Sequence, residues 1–303
     1  MTELNETNRH IEADNSREHK MLLVDGMAIL FRAYFATSFT GSIRRTSTGL
    51  PVNAVHGFVR YFMNAIDTFK PTHVICCWDM GSTTFRTAQY EGYKSNRPEA
   101  PEDLIPQFDL VKEVVASFDV PNVGVEGFEA DDCIGTLAAL FKDEADVTIV
   151  TGDHDMLQLV DDHVSVAILK KGIGNYMVYS PQSLMEERQL TPQQVIDMKG
   201  LMGDTSDNYP GVRGIGEKTA HKLIQEHGSI EGLLASLDTV SKTIRAKIEA
   251  DLDMLHLSRD LATIRCDVSL EVELASCCWS YNKDHVLSKF EELEFKSLMA
   301  LIS

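Results

Sequence analysis

The chain has 303 residues and sets 46 acidic against 28 basic side chains, a formal charge of −18. That balance argues against a protein that grips phosphate backbones over its whole surface, because such binding rewards positive charge. A composition 44% hydrophobic and 24% charged, with eight Tyr and thirteen Phe, excludes a disordered acidic chain.

Length suits two domains, or one α/β domain with a sizeable appendage. Residues 1–20 contain no apolar run and read as a mobile tail, neither signal peptide nor anchor. The run Met21 to Val24, ending on Asp25-Gly26, predicts a strand buried on both faces. Val52 to Phe69 places Val55, Phe58, Val59, Phe62, Met63 and Ile66 at helical spacing, between Pro51 and Pro71. Val74 to Trp78 predicts the next strand and ends on Asp79. The alternation continues through a strand at 122–125, a helix from about Ala130 to Phe141, and strands at 147–150 and 164–169. The expected fold class is therefore α/β, a mostly parallel central sheet with covering helices, over residues 21–180.

From residue 181 the pattern turns helical. Pro181 and Pro192 open candidate helices, and Gly211 to Gly216 form a glycine-dense turn between two helices. Residues 181–303 are expected to form a helical region, within which 264–282 receive no role. Six cysteines include no CxxC pair, which suits reduced thiols in a cytoplasmic protein. No stretch approaches the roughly 18 apolar residues of a membrane span.

The charge is unevenly spread. Residues 98–162 hold seventeen acids and two bases, whereas residues 26–66 hold four arginines and no acid. Several acids fall where α/β folds bind ligands, at the carboxyl ends of strands. Asp25 and Asp79 end apolar runs; Glu129, Asp131 and Asp132 open a helix; Asp153 and Asp155 follow a strand; Asp204 and Asp207 precede the glycine turn. Two carboxylates about 4 Å apart repel by roughly 4 kcal/mol at an effective dielectric of 20, so convergence demands cations. Hard oxygen donors without Cys or paired His favour magnesium or manganese, and two such ions can activate water for attack on a phosphodiester. A lone Asp after a strand is more often a turn or helix cap. Nine together are harder to read that way.

Arg86, Tyr90, Tyr93, Lys94 and Arg97 recur at helical spacing and would share one face, able to hold phosphates and stack on unpaired bases. A solvated basic face with Tyr covering core fits the same spacing, and Gly92 weakens the helix. Gly211, Gly214 and Gly216 suit a helix-hairpin-helix over about 200–227, whose amides approach phosphates irrespective of base sequence. Arg213 lies in that turn, and Lys218 and Lys222 share a face of the helix that follows.

The strings LLVDGMAILFRAYFA, CCWD, FRTAQYEGYKSNRP, EGFEADDCIGTLA, TGDHDMLQLV and GLMGDTSDNYPGVRGIGEKTA, in this order, resemble the 5′ nuclease (flap endonuclease) family. Bacterial 5′-to-3′ exonucleases and the nuclease domain of DNA polymerase I are its nearest types. The resemblance implies a PIN-like core with a helical arch over about 81–105. It implies two catalytic Mg2+ or Mn2+ ions, with Asp25, Asp79, Glu129 and Asp131 around the first and Asp132, Asp153, Asp155, Asp204 and Asp207 completing the second. Lys94 and Arg86 would assist catalysis; Arg86, Tyr93, Lys94 and Arg97 would grip the 5′ strand. Gly211, Arg213, Gly214, Gly216, Lys218 and Lys222 would contact duplex, with K+ at the hairpin. The implied partner is DNA with a 5′ flap, nick or junction, or an RNA–DNA hybrid, acted on by a monomer during primer removal and repair. No polymerase region follows Ser303, which suits a stand-alone enzyme. A catalytically weak junction-binding module of the same family, and an unrelated metal-dependent ribonuclease, are the alternatives.

Overall fold

The computed structural model describes residues 17–38 and 43–302. The strands are β1 (His19–Asp25), β2 (His73–Cys77), β3 (Asn122–Val123), β4 (Ala145–Thr151), β5 (Val164–Leu169) and β6 (Tyr176–Tyr179). Their order in one sheet is β3-β2-β1-β4-β5-β6, parallel except for the antiparallel β5–β6 pair. β1 begins two residues inside the expected tail; residues 1–16 lie outside the described residues.

Helices α1 (Gly26–Ser38), α2 (Asn53–Phe69), α3 (Phe85–Gln89), α4 (Gln107–Ser117) and α5 (Ala130–Phe141) belong to the α/β half. The rest are α6 (Pro181–Arg188), α7 (Pro192–Met202), α8 (Glu217–His227), α9 (Ile230–Ala235), α10 (Lys242–Ala250), α11 (Leu252–Ala262) and α12 (Lys283–Glu292). α6 and α7 each start with Pro after a Ser or Thr cap, the arrangement that supplies partners for the first free amides.

Strand alternation sorts side chains into two cores. Leu22 and Val24 face one with α1, α2 and α4; Met21 and Leu23 face the other with α5. Val286, Phe290, Phe295, Leu298 and Ile302 join the first core, so the end of the described chain packs back on its beginning. A third cluster, around Leu201, Ile224, Ile230 and Leu255, holds α7 to α11 together. Residues 264–282 are largely irregular, with one 3-10 turn at Leu274–Cys277.

The expected helical arch is not continuous. α3 stops after five residues, Tyr90 takes an extended conformation, and turns follow to Arg97 with Lys94 at φ 54°. The shared face of Arg86, Tyr90, Tyr93, Lys94 and Arg97 therefore does not form. Tertiary pairing of each side chain outweighs a helix already weakened by Gly92.

Candidate active site

Parallel strands deliver acids to one end of the sheet. Asp25 is the last residue of β1, and Gly26 after it lies so close to Trp78 that a Cβ there would meet the indole at 2.5 Å. The Asp25 carboxylate accepts from Ala28 N–H (2.9 Å) and from Thr151 Oγ1 (2.7 Å) at the end of β4. Asp79, just beyond β2, accepts from Ala130 N–H at 2.7 Å and so ties itself to the start of α5. Glu129 is the N-cap of α5 and Asp131 lies in its first turn, where the helix dipole favours negative charge. Asp153 caps the 3-10 helix His154–Leu159 after β4, accepting from Asp155 N–H at 2.8 Å. Asp204 and Asp207 come from the α7–α8 loop, where Asp204 accepts from Ser206 N–H at 2.6 Å.

Eight of the nine expected acids line one cleft of about 500 Å3: Asp25, Asp79, Glu129, Asp131, Asp153, Asp155, Asp204 and Asp207. Asp132 does not. It is 0% exposed, takes a two-pronged contact from Arg86 (2.7 and 2.8 Å), and accepts from the backbone N–H of Glu129 and Arg265. Its expected place among the ligands is therefore corrected to a buried ion pair. As third residue of α5 it caps the helix through the Glu129 N–H and meets Arg86.

Arg86 is corrected with it. The guanidinium is 2% exposed and also donates to the carbonyls of Leu261 and Thr263, so it cannot reach a strand in this arrangement. Tyr93, at 4% exposure, is not offered for stacking on bases; its hydroxyl donates to Glu129 (3.1 Å) and Asp207 (3.2 Å). Lys94 and Arg97 do reach the cleft. Lys94 Nζ lies 2.6 Å from Glu129, and Arg97 lies 2.5 Å from Asp207 with half its side chain exposed.

Crowding shows in the protonation equilibria. Burial, with the charges of Asp79 and Asp153, raises the Asp25 carboxyl to about 6. Burial followed by the Asp153 charge raises Asp155 to about 7. Asp131 is pushed well above the carboxylate range by burial, then by Asp153 and Asp25. Burial disfavours the Lys94 cation, but Glu129 and Asp207 outweigh it and hold the ammonium above its ordinary value.

Two residues at the site escaped the sequence reading: Lys199, which lines the cleft, and Tyr209, which is buried and does not line it. Lys199 of α7 reaches Asp155 at 2.7 Å and also pairs with Asp204. Tyr209 stacks on Tyr93 with ring centroids 6.3 Å apart, is 2% exposed, and has a hydroxyl without a hydrogen-bond partner. Neither carries a local signal beyond its place near the GDTSDNYPG string. No trio of His, Cys, Asp or Glu among the described residues is drawn close enough to hold a metal ion in this arrangement. Lys94, Arg97 and Lys199 pair with the acids instead. The donor set nonetheless fits a hard divalent ion: every candidate ligand is a carboxylate oxygen.

Beside the cleft, the α7–α8 loop turns through Gly211 (φ 62°) and Gly214 (φ 79°), and Gly216 caps α8. Lys218 and Lys222 are exposed on α8, with Lys222 at 3.6 Å from Glu226. Arg213 projects outward and pairs with Asp251 at 3.0 Å. The Gly214 carbonyl accepts from Lys247 Nζ at 2.8 Å.

The chain is a nuclease, a hydrolase acting on DNA, as its family shows. Residues 20–189 match the 5′-3′ exonuclease N-terminal resolvase-like domain, and residues 190–285 match the 5′-3′ exonuclease C-terminal SAM fold. The chain is 49% identical to the 5′-3′ exonuclease of Bacillus subtilis over 284 residues, 94% of this chain and 96% of that one. It is 40% identical to Bacillus subtilis DNA polymerase I over 92% of its own length, but spans only 32% of that longer protein. Among solved structures, the zinc-bound T5 5′-exonuclease superposes with a TM-score of 0.66 at 20% identity, covering 94% of this chain and all of that one. The catalytic core of Rad2 in complex with a DNA substrate gives a TM-score of 0.59 at 17% identity, over 94% and 91% of the two chains. This chain belongs to the 5′-3′ exonuclease family. No helix among the described residues is long and apolar enough to cross a membrane.

Proposed function

We propose that this 5′ nuclease cuts DNA at 5′ flaps and 5′ ends with two Mg2+ or Mn2+ ions. Asp25, Asp79, Glu129 and Asp131 would hold the first, and Asp153, Asp155, Asp204 and Asp207 the second. The observation that carries this reading is the convergence of eight carboxylates, from three strand ends, the start of α5 and the α7–α8 loop, on one cleft. Bound divalent ions would supply an ionised water as nucleophile and offset charge on the phosphate.

The chain's own residues do the rest. Asp25 ends β1, Glu129 and Asp131 open α5, and Asp79 is tied to α5, so four of the acids are held on or against rigid elements and little reorganisation accompanies their binding. Lys94 sits at the cleft on a segment of turns, where its ammonium can leave Glu129 for the scissile phosphate. Arg97, half exposed, is placed to take a neighbouring phosphate. Gly211, Gly214 and Gly216, with exposed Arg213, Lys218 and Lys222, would bind duplex in the manner of a helix-hairpin-helix. A K+ ion there would require the Gly214 carbonyl to leave Lys247. Contacts to phosphate rather than bases make shape the basis of choice.

RNA-primed 5′ strands are a natural substrate of such a site, and a single chain supplies all its groups, so a monomer suffices. Six free thiols, four of them buried, suit a reducing compartment such as the cytoplasm.

The test is cleavage of an end-labelled 5′-flap duplex with magnesium, with excess chelator, and by Asp131→Asn. Cutting confined to the wild type with magnesium is expected. Undiminished cutting in chelator would refute the metal mechanism; tight flap binding with no cutting in any divalent ion would favour a junction-binding module.

A further inference from the structure

Of the three basic side chains that line the cleft and pair with its acids, Lys199 is built differently. Lys94 and Arg97 ride on a segment of turns and can follow a phosphate. Lys199 belongs to the last turn of α7, where its carbonyl accepts the Gly203 N–H that caps the helix. Its side chain is largely sheltered, and it joins Asp155, after β4, to Asp204, in the α7–α8 loop. An ammonium has three donors, enough to meet both carboxylates at once. It spans the gap that a divalent ion would fill on the Asp155–Asp204 side.

Two further observations concern the same place. Tyr209, whose backbone pairs with that of Asp204 in both directions, carries a buried hydroxyl that finds no partner while Lys199 holds these acids. After burial, the charges acting most on that hydroxyl are those of Asp155 and Asp204. A donor kept beside two acids in the dry interior has an acceptor once their oxygens are released or a hydrated ion enters.

We propose that Lys199 is the resident counter-cation of the Asp155–Asp204 pair, and that it exchanges with the second divalent ion and thereby sets that ion's affinity. The inference rests on the two-ion reading above. Without an ion, Lys199 keeps the acids from repelling one another. With one, its like charge opposes entry, so the second ion binds more weakly than its ligand set alone would allow. Lys199 is a positioning residue; it need not touch the substrate.

The experiment is calorimetric titration of the full chain with Mn2+ in the absence of DNA, comparing wild type, Lys199→Met, Lys199→Arg and Asp204→Asn. In the wild type two binding events are expected, the weaker one lost in Asp204→Asn. Lys199→Met should tighten that event by about tenfold or more, as removal of a close like charge requires, leave the stronger event unchanged, and lower the unfolding temperature in chelator. Lys199→Arg should restore wild-type behaviour. An unchanged or weakened second event in folded Lys199→Met would overturn the exchange while leaving two ions in place. A wild type with one event only would overturn the two-ion reading and the exchange with it. Should Lys199→Met fail to fold without metal, Lys199→Gln, which keeps hydrogen-bond donors without charge, is judged by the same change in affinity.

Discussion

Lys94 Nζ lies 2.6 Å from Glu129, a lysine in the left-handed backbone region reaching a carboxylate that caps α5. The pair links the turn segment at the rim of the cleft to the helix at its floor. If the ammonium moves to the phosphate as charge develops there, it matters more to the transition state than to the bound substrate. Lys94→Ala should therefore lower kcat on a 5′-flap substrate by roughly a hundredfold and change duplex affinity by less than about threefold. Equal losses in single-turnover rate and in affinity would remove its catalytic role.

Arg86 and Asp132 make a contrasting prediction. Breaking a buried ion pair from one side leaves an uncompensated charge and costs about 3–5 kcal/mol. Arg86→Met should show that loss in urea unfolding, and Asp132→Asn a smaller one, because the amide keeps part of the hydrogen bonding. Asp131→Asn, at the adjacent position but facing the cleft, should lose cleavage without comparable destabilisation. A stable Arg86→Met with abolished DNA binding would reverse the assignment.

The same contrast shows how far sequence alone reached. Alternating apolar runs and the acids ending them located β1, β2 and β4 and most of the cleft, because strand burial and strand-end ligands are local patterns. Asp131 and Asp132 are indistinguishable in such a pattern; only the tertiary approach of Arg86 turns one inward and leaves the other facing the cleft. Arg86 to Arg97 kept the period of a helix while the chain made turns, since Arg86, Tyr93, Lys94 and Arg97 found their partners on the start of α5 and the α7–α8 loop. β6 has only four residues after Gly172 and Gly174, a run too short to announce a strand among the turn signals before it. Lys199 looks like an ordinary helix residue until Asp155 and Asp204 are brought to it.

Protonation gives a third prediction, for protein in chelator. Asp25, at about 6, and Asp155, at about 7, hold protons more tightly folded than in an unfolded chain, whose carboxyls titrate near 4. Their destabilising influence begins above about pH 4, where the unfolded carboxyls ionise first, grows as pH rises and levels off once pH has passed 6 to 7. Relative to Asp155→Asn, the wild type should lose about 1–3 kcal/mol over that window. Mn2+ affinity should rise over the same range, since binding expels the protons. Parallel stability curves for the two proteins, measured by thermal unfolding, would refute the assignment.

Gly211 permits a fourth. At φ 62°, a Cβ there would meet Gly203 N at 2.3 Å and the Leu201 carbonyl oxygen at 2.6 Å, both backbone atoms that cannot yield separately. Gly211→Ala should cost upwards of about 1–3 kcal/mol and weaken duplex binding, whereas Gly216→Ala, with open space around it and φ −99°, should do neither to a comparable degree. Fluorescence anisotropy with a blunt duplex and chemical unfolding read the two effects separately.

The return of Val286, Phe290, Phe295, Leu298 and Ile302 onto the core built by Leu22, Val24 and α2 has a consequence for biosynthesis. During translation the sheet and its carboxylate end can be complete in sequence while one apolar face still lacks its cover. Closure of that face waits until residues 286–302 have left the ribosomal exit tunnel, so a nascent chain stalled before them exposes a sticky flank to chaperones.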